Sequence, residues 1–207
     1  MIPSQLADAV EARAKSAHRF VVGIAGPPGS GKTTLADQLL RVLKSRGAKA
    51  SIVPMDGFHL DNAVLEMKSL LLRKGAPETF DAQSFVEHVK RIAAGEGDVS
   101  IPGFDRAADA TVPGMHIVSS NDHIVLVEGN YLLLDVEPWS QLAGHFDMTI
   151  FLAPPTAVLE DRLIQRWLDH GLEPDAARER AMGNDIPNAL TVMGHSVDAD
   201  ITLGNAS

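Results

Sequence analysis

The stretch "RFVVGIAGPPGSGKTTLADQLLRVLKSRG", residues 19–47, decides the fold. Its first eight residues are a continuous apolar run ending in glycine, the pattern of a strand buried on both faces. Its last sixteen repeat leucine at helical spacing, with Leu35, Leu39, Leu40 and Leu43 on one face and Gly47 as the stop. Between them, residues 26–33 read "GPPGSGKT", which fills every fixed position of G-x-x-x-x-G-K-[ST]. A strand before and a helix after is the context that makes this motif a phosphate cradle. Gly29 and Gly31 let backbone N–H groups turn inward around an anion, and the helix opening near Lys32 adds the positive end of its dipole. Lys32 supplies a full charge for the β and γ phosphates, and Thr33 offers a hydroxyl to Mg²⁺.

Downstream the alternation continues. "ASIVPMD" (50–56), "HIVLVEG" (123–129), "DMTIFLA" (147–153) and "ADITLG" (199–204) read as strands. "DAQSFVEHVKRIAAG" (81–95), "TAVLEDRLIQRWLDHG" (156–171) and "PDAARERAM" (174–182) read as helices. At the N-terminus Leu6, Val10 and Ala14 mark a surface helix. Strands alternating with helices predict an α/β fold in three layers, a parallel five-stranded core sheet with helices on both faces. The Pro- and Gly-punctuated segment of about 98–119 is expected to form a small β-hairpin inserted off the main sheet. Nothing marks a second domain, so residues 1–207 are read as one, with a lid-like helical region at about 160–185.

Composition excludes several classes. The 207 residues carry a net charge of −9, which disfavours a broad nucleic-acid or anionic-membrane surface. There is no cysteine, so disulfides and thiol chemistry are absent. No apolar run approaches the ~18 residues of a membrane span, and the N-terminus lacks a signal-peptide core. The expected location is the cytoplasm. The oligomeric state, a homodimer included, is not encoded in any motif.

Two further strand ends carry acids. The "IVPMDGFHLDN" stretch (52–62) runs from apolar residues into Asp56, with Gly57 giving room for close approach of a substrate and Phe58 and His59 lining an acceptor pocket. The crossover from the cradle's strand is right-handed, so both strands end at the ligand-binding edge of the sheet. Asp56 there can take a proton from an attacking hydroxyl or help hold Mg²⁺. "IVLVEGN" (124–130) repeats the pattern with Glu128, a second candidate for Mg²⁺.

In order along the chain, "GPPGSGKT", "MDGFH", "GAPETFD", "IPGFDR" and "VEGNYLLLD" resemble the uridine kinase, pantothenate kinase and phosphoribulokinase family of P-loop kinases, over roughly residues 21–166. The bacterial nucleoside/nucleotide kinase-like subgroup, some members of which carry a fructose-transport-kinase label, looks most similar. The resemblance implies a P-loop NTPase fold and an ATP-dependent, Mg²⁺-requiring kinase acting on a hydroxyl of a small metabolite, such as a sugar, a nucleoside or a pantothenate-like alcohol. It implies a nucleotide-binding set of Gly26, Pro27, Pro28, Gly29, Ser30, Gly31, Lys32, Thr33 and Thr34. Asp56 matches the family's base, and Thr33 and Glu128 its Mg²⁺ partners, with Asp56 a further metal candidate. Asp81 matches an acid holding substrate hydroxyls, and His59 and Phe104 match pocket-lining positions. Arg162 and Arg166 lie on the helix of substrate- and phosphate-facing arginines, and Lys32, Asp56 and Arg166 form the catalytic set.

The chain departs from the uridine kinases at "DGFH", where they carry two acids and a tyrosine, and at Phe104, where they carry a tyrosine. Where they have a further lid arginine this chain has Asp169, leaving His170, Arg178 or Arg180 to supply that charge. The role of Asn184, Asp185 and Asn188 in "GNDIPNA" stays open between a helix boundary and a ligand contact. His88, His116, His123 and His195 show no metal-ligand spacing and are read as ordinary surface or boundary residues. A nucleotide-dependent switch or chaperone is the rival class. It lacks support from any Asn-Lys-x-Asp guanine block in the sequence.

Overall fold

The computed structural model describes residues 1–204. Five strands form one parallel sheet: β1 (Phe20–Ala25), β2 (Ala50–Pro54), β5 (Ile124–Gly129), β6 (Met148–Leu152) and β7 (Ile201–Leu203), in the spatial order β2-β5-β1-β6-β7. Two more, β3 (Val99–Asp105) and β4 (Ala110–Val118), make a separate antiparallel hairpin. The α/β core sheet and the inserted hairpin are as the sequence predicts.

Alternate residues of the central strands serve opposite faces, as period-two geometry requires. Val22, Ile24, Leu126 and Ile150 pack with helices α1 (Pro3–Ala14) and α2 (Lys32–Ser45) through Leu6, Val10, Leu39 and Leu43. Val21, Val53, Val125 and Val127 pack on the other face with α4 (Ala82–Ala93) through Phe85, Val89 and Ile92. Helix α1 packs with α2 and buries its apolar stripe of Leu6, Val10 and Ala14.

A third, smaller cluster joins α5 (Thr156–Asp169) and α7 (Ile186–His195) through Leu159, Leu163, Ile186 and Ala189, with Ala181 just past the end of α6 (Pro174–Arg180). A π-helical turn, Ala181–Asp185, links α6 to α7, so the helical run continues beyond residue 185 to His195. A short helix, α3 (Asn62–Met67), also had no signal in the sequence pattern.

Three expectations around residue 56 are corrected. Strand β2 stops at Pro54, which has no N–H to extend the ladder, and residues 55–58 form a 3₁₀ turn. Asp56 sits in that turn rather than at the strand end. Phe58 is buried, edge-on to Phe85 at 4.9 Å, because the turn rotates it into the core. Gly57 serves the hairpin rather than a substrate: a Cβ there would stand 2.0 Å from the Pro102 carbonyl oxygen of β3.

Candidate active site

Parallel strands all point their C-terminal ends the same way, and the crevice outside those ends is where open α/β sheets take ligands. Here β1 leaves Ala25 into the loop of residues 26–31, and β5, its neighbour, presents Glu128 opposite Ile24 on one side and Pro54 on the other. A cavity of about 710 Å³ opens along this edge. Its wall includes Pro28, Gly29, Gly31, Lys32, Thr33 and Thr34 of the phosphate loop and α2, together with Asp56, His59, Phe80, Phe104, Arg106 and, from α5, Arg166.

The loop has the backbone a phosphate cradle needs. Gly29 and Gly31 take φ of +79° and +91°, a region other residues enter only at a cost. A Cβ at Gly31 would meet nothing within 4 Å, so the space over the loop is open. Helix α2 starts at Lys32 and aims its N-terminal dipole at that space. Lys32 is half-buried and lines the cavity. Burial lowers its pKa, while the carboxylates of Glu128 and Asp56 pull it back up.

The Thr33 hydroxyl donates to Glu128 Oε2 at 3.2 Å. Glu128 is 3% exposed, and burial raises its pKa against the opposing pull of Lys32. Among the described residues no group of three His, Asp or Glu gathers as a ready-made metal cage. A hydroxyl and one or two carboxylates beside a phosphate loop nevertheless fit Mg²⁺, which keeps several waters and is completed by substrate phosphates. Thr33 and Glu128, with Asp56 further along the wall, are the side chains that could hold it.

Elsewhere on the wall His59 lies against the ring of Phe80 at 4.0 Å and that of Phe104 at 4.9 Å. Its Nδ1 is 2.8 Å from the Asp56 carbonyl oxygen, which can only accept, so Nδ1 carries the proton. Burial lowers its pKa, leaving Nε2 as an acceptor on the neutral ring. Asp56 Oδ2 accepts from Arg106 Nη2 at 2.8 Å. Asn130, just past β5, also lines the cavity, and its Oδ1 has no hydrogen-bond partner.

Two expected substrate residues stand elsewhere. Asp81 is the N-cap of α4, accepting from Ser84 N at 3.1 Å, and is not among the cavity-lining residues. Arg162 donates from Nη1 to the carbonyls of Gly29 and Ser30, at 3.1 and 3.4 Å, so it braces the phosphate loop from outside the cavity. Of the lid candidates, His170 and Arg180 line the cavity and Arg178 does not. Arg180 stacks on Trp167 at 5.2 Å and donates to the Leu72 carbonyl.

Several wall residues carried no sequence signal. Lys74 donates to Asn62 Oδ1 and Asp109 Oδ1, both at 2.7 Å, and lies 5.0 Å over the Phe104 ring. Asn184, whose role was open, donates to the Lys74 carbonyl at 3.0 Å, and Asp185 accepts from the Trp167 indole. Asn188 accepts from Arg73 at 3.4 Å. The "GNDIPNA" cluster thus ties α7 and its π turn to the 72–74 loop, and Asp185 and Asn188 also face the cavity. Of these, Lys74 lies just before "GAPETFD" and Arg106 ends "IPGFDR", and the motifs themselves were the one available pointer to them.

The family model for phosphoribulokinase and uridine kinase matches residues 21–171. YggC, an uncharacterised protein of Escherichia coli (strain K12), is 37% identical over 188 residues, 89% of this chain and 77% of its own length. A Schizosaccharomyces pombe protein provisionally named a uridine kinase is 36% identical over 201 residues, 91% of this chain and 84% of that one. A crystal structure from Silicibacter sp. TM1040, provisionally named a fructose transport system kinase, is similar with a TM-score of 0.93 and 44% identity, covering 98% of this chain and 99% of that chain.

Proposed function

The chain belongs to the phosphoribulokinase and uridine kinase family, and on that premise we propose that it transfers the γ-phosphate of ATP to a hydroxyl of a small metabolite. One observation carries the reading: a single cavity joins a complete phosphate loop to an aspartate and histidine set against aromatic rings. Phosphoryl transfer asks a protein mainly for positioning and charge stabilisation. This wall offers both around one volume.

In this reading the amides of residues 26–34 and Lys32 hold the phosphates, and Arg166 meets the charge that develops on the transferred group. Mg²⁺, when bound, would neutralise charge on the phosphate oxygens. Thr33 and Glu128 are the side chains that would hold it, directly or through water. Asp56 accepts the proton of the acceptor hydroxyl as its oxygen bonds to the γ-phosphorus and the bond to the β,γ-bridging oxygen breaks, releasing ADP. His59 Nε2 is an acceptor for another of the substrate's hydroxyls, and the Phe80 and Phe104 rings flank it. Residues 1–207 act as one kinase domain, with the hairpin on the acceptor side and the α5–α7 helices as the lid.

The test is coupled ADP release with Mg·ATP over a panel of hydroxylated metabolites, run beside Lys32→Ala. The reading expects acceptor-dependent ADP release in the parent and its loss in the folded variant. ADP release that no acceptor stimulates, or that survives unchanged in Lys32→Ala, would contradict it.

A further inference from the structure

The chain carries a net charge of −9, yet five of the cavity-lining side chains are Lys or Arg against three Asp. Two of the five, Lys32 and Arg166, are accounted for by the phosphates of the donor. Lys74 is spent within the protein: its ammonium faces Asn62 Oδ1, Asp109 Oδ1 and the Asp109 carbonyl, and its side chain is only 13% exposed. Arg180 is stacked on Trp167 and bonded to Leu72.

Arg106 is different. It sits at the tip of the β3–β4 hairpin, its side chain is 59% exposed, and its one described hydrogen bond goes to Asp56. A guanidinium has five N–H donors in a fork that fits a carboxylate or phosphate edge-on, so most of its donors are uncommitted. The partner is the carboxylate proposed above to take the acceptor's proton. Nη2 engages Oδ2, while Oδ1 has no described partner. An exposed ion pair of this kind is weak and exchanges readily.

We propose that the acceptor is an anionic hydroxy compound, a hydroxy acid or a sugar phosphate, and that Arg106 reads its charged group by leaving Asp56 for it. The exchange turns Arg106 from the carboxylate to the substrate's charged group and leaves both Asp56 oxygens to the acceptor hydroxyl. The same contact then selects the substrate and places it beside the base, and a neutral sugar gains neither. This inference rests on the phosphotransfer reading of the site.

The experiment uses probes matched in carbon skeleton and differing in charge: glycerol, glycerate and glycerol 3-phosphate, then fructose, gluconate and fructose 6-phosphate. Mg·ATP-dependent ADP release is measured for the full chain and for Arg106→Gln. The charged members should support turnover and the neutral ones should not, with the carboxylate and phosphate arms separating the two sources of charge. Arg106→Gln should raise the acceptor KM by about tenfold to a hundredfold, the loss of a charge-assisted hydrogen bond, with a smaller change in kcat. Thermal melting with Mg²⁺ and a non-hydrolysable ATP analogue gives a second readout, in which the charged probes should raise Tm in the parent and not in Arg106→Gln. Equal turnover of neutral and charged partners, or an unchanged KM in Arg106→Gln, overturns the proposal and leaves the kinase reading standing. An Arg106-dependent Tm rise with no ADP release from any probe keeps the anion site and counts against phosphotransfer. No Tm rise and no charge-dependent turnover overturns the proposal outright.

Discussion

The Thr33 hydroxyl and the Glu128 carboxylate meet at 3.2 Å, joining the first turn of α2 to the end of β5. Thr33 closes the phosphate loop and Glu128 comes from the strand beside β1, so one hydrogen bond sets the spacing of the two groups best placed to hold Mg²⁺. Glu128→Gln keeps the shape and the acceptor oxygen but removes the charge. Loss of a group that holds or orients a metal typically costs ~10- to 100-fold in metal affinity. The Mg²⁺ concentration for half-maximal turnover should rise by that order, and a titration curve that overlays the parent's would make Glu128 structural only.

Arg162 should act on the nucleotide side. Its bonds to the Gly29 and Ser30 carbonyls brace the loop, and an ordinary hydrogen bond contributes about 0.5–1.5 kcal/mol. Arg162→Ala should therefore raise the KM for ATP roughly two- to tenfold with little change for the acceptor. The opposite split, acceptor KM raised and ATP untouched, would restore the substrate-binding role first read from its helix.

Asp81 should behave as a cap. Asparagine caps as well as aspartate, so Asp81→Asn should be near neutral, whereas Asp81→Ala should cost ~1 kcal/mol of stability. Denaturant melts give the stability, and steady-state kinetics should find the acceptor KM unchanged in both. A raised acceptor KM in Asp81→Asn would contradict the placement outside the cavity.

Asp185 gives a pH signature. Burial raises its carboxyl above the ordinary range, against the hydrogen bond from Trp167 and the charges of Arg166 and Arg180. A carboxyl that holds its proton more tightly folded than unfolded costs nothing below the ordinary carboxylate range. It costs stability increasingly as pH rises through the raised value. Asp185→Asn retains an oxygen for the Trp167 indole and sheds the buried charge. The variant should be more stable than the parent near pH 7, and the gain should shrink toward pH 3. Chemical melts across that range would refute the assignment if the parent proves the more stable at pH 7.

What could be seen in the sequence was what is local. The phosphate loop is one contiguous piece of backbone whose glycines, lysine and threonine each have a fixed task, so residues 26–33 could be read without a structure. The apolar runs of β1, β5 and β6 declared themselves for the same reason. Tertiary relations were not legible. Gly57 looked like room for a ligand because nothing nearby says that Pro102, on a hairpin 45 residues later, packs against it. Asp81 could not be assigned from the sequence because an acid that caps a helix and an acid that holds a hydroxyl leave the same letter before a helix. Arg162 and Arg166 share a helix face by spacing, yet one reaches the outside of the phosphate loop and the other the cavity wall. Lys74, Asp109 and Arg106 come from loops whose convergence depends on how the β3–β4 hairpin packs beside the segment before residue 75.

The central claim is that Asp56 deprotonates a hydroxyl that receives the γ-phosphate. It is tested most directly by following γ-labelled ATP with an acceptor found in the screen, in the parent and in Asp56→Asn. The account predicts label in an organic phosphoester, formed about 10² to 10⁴ times more slowly by the variant, with ATP affinity largely kept. Label appearing solely as inorganic phosphate, at equal rates in the two proteins, would contradict it.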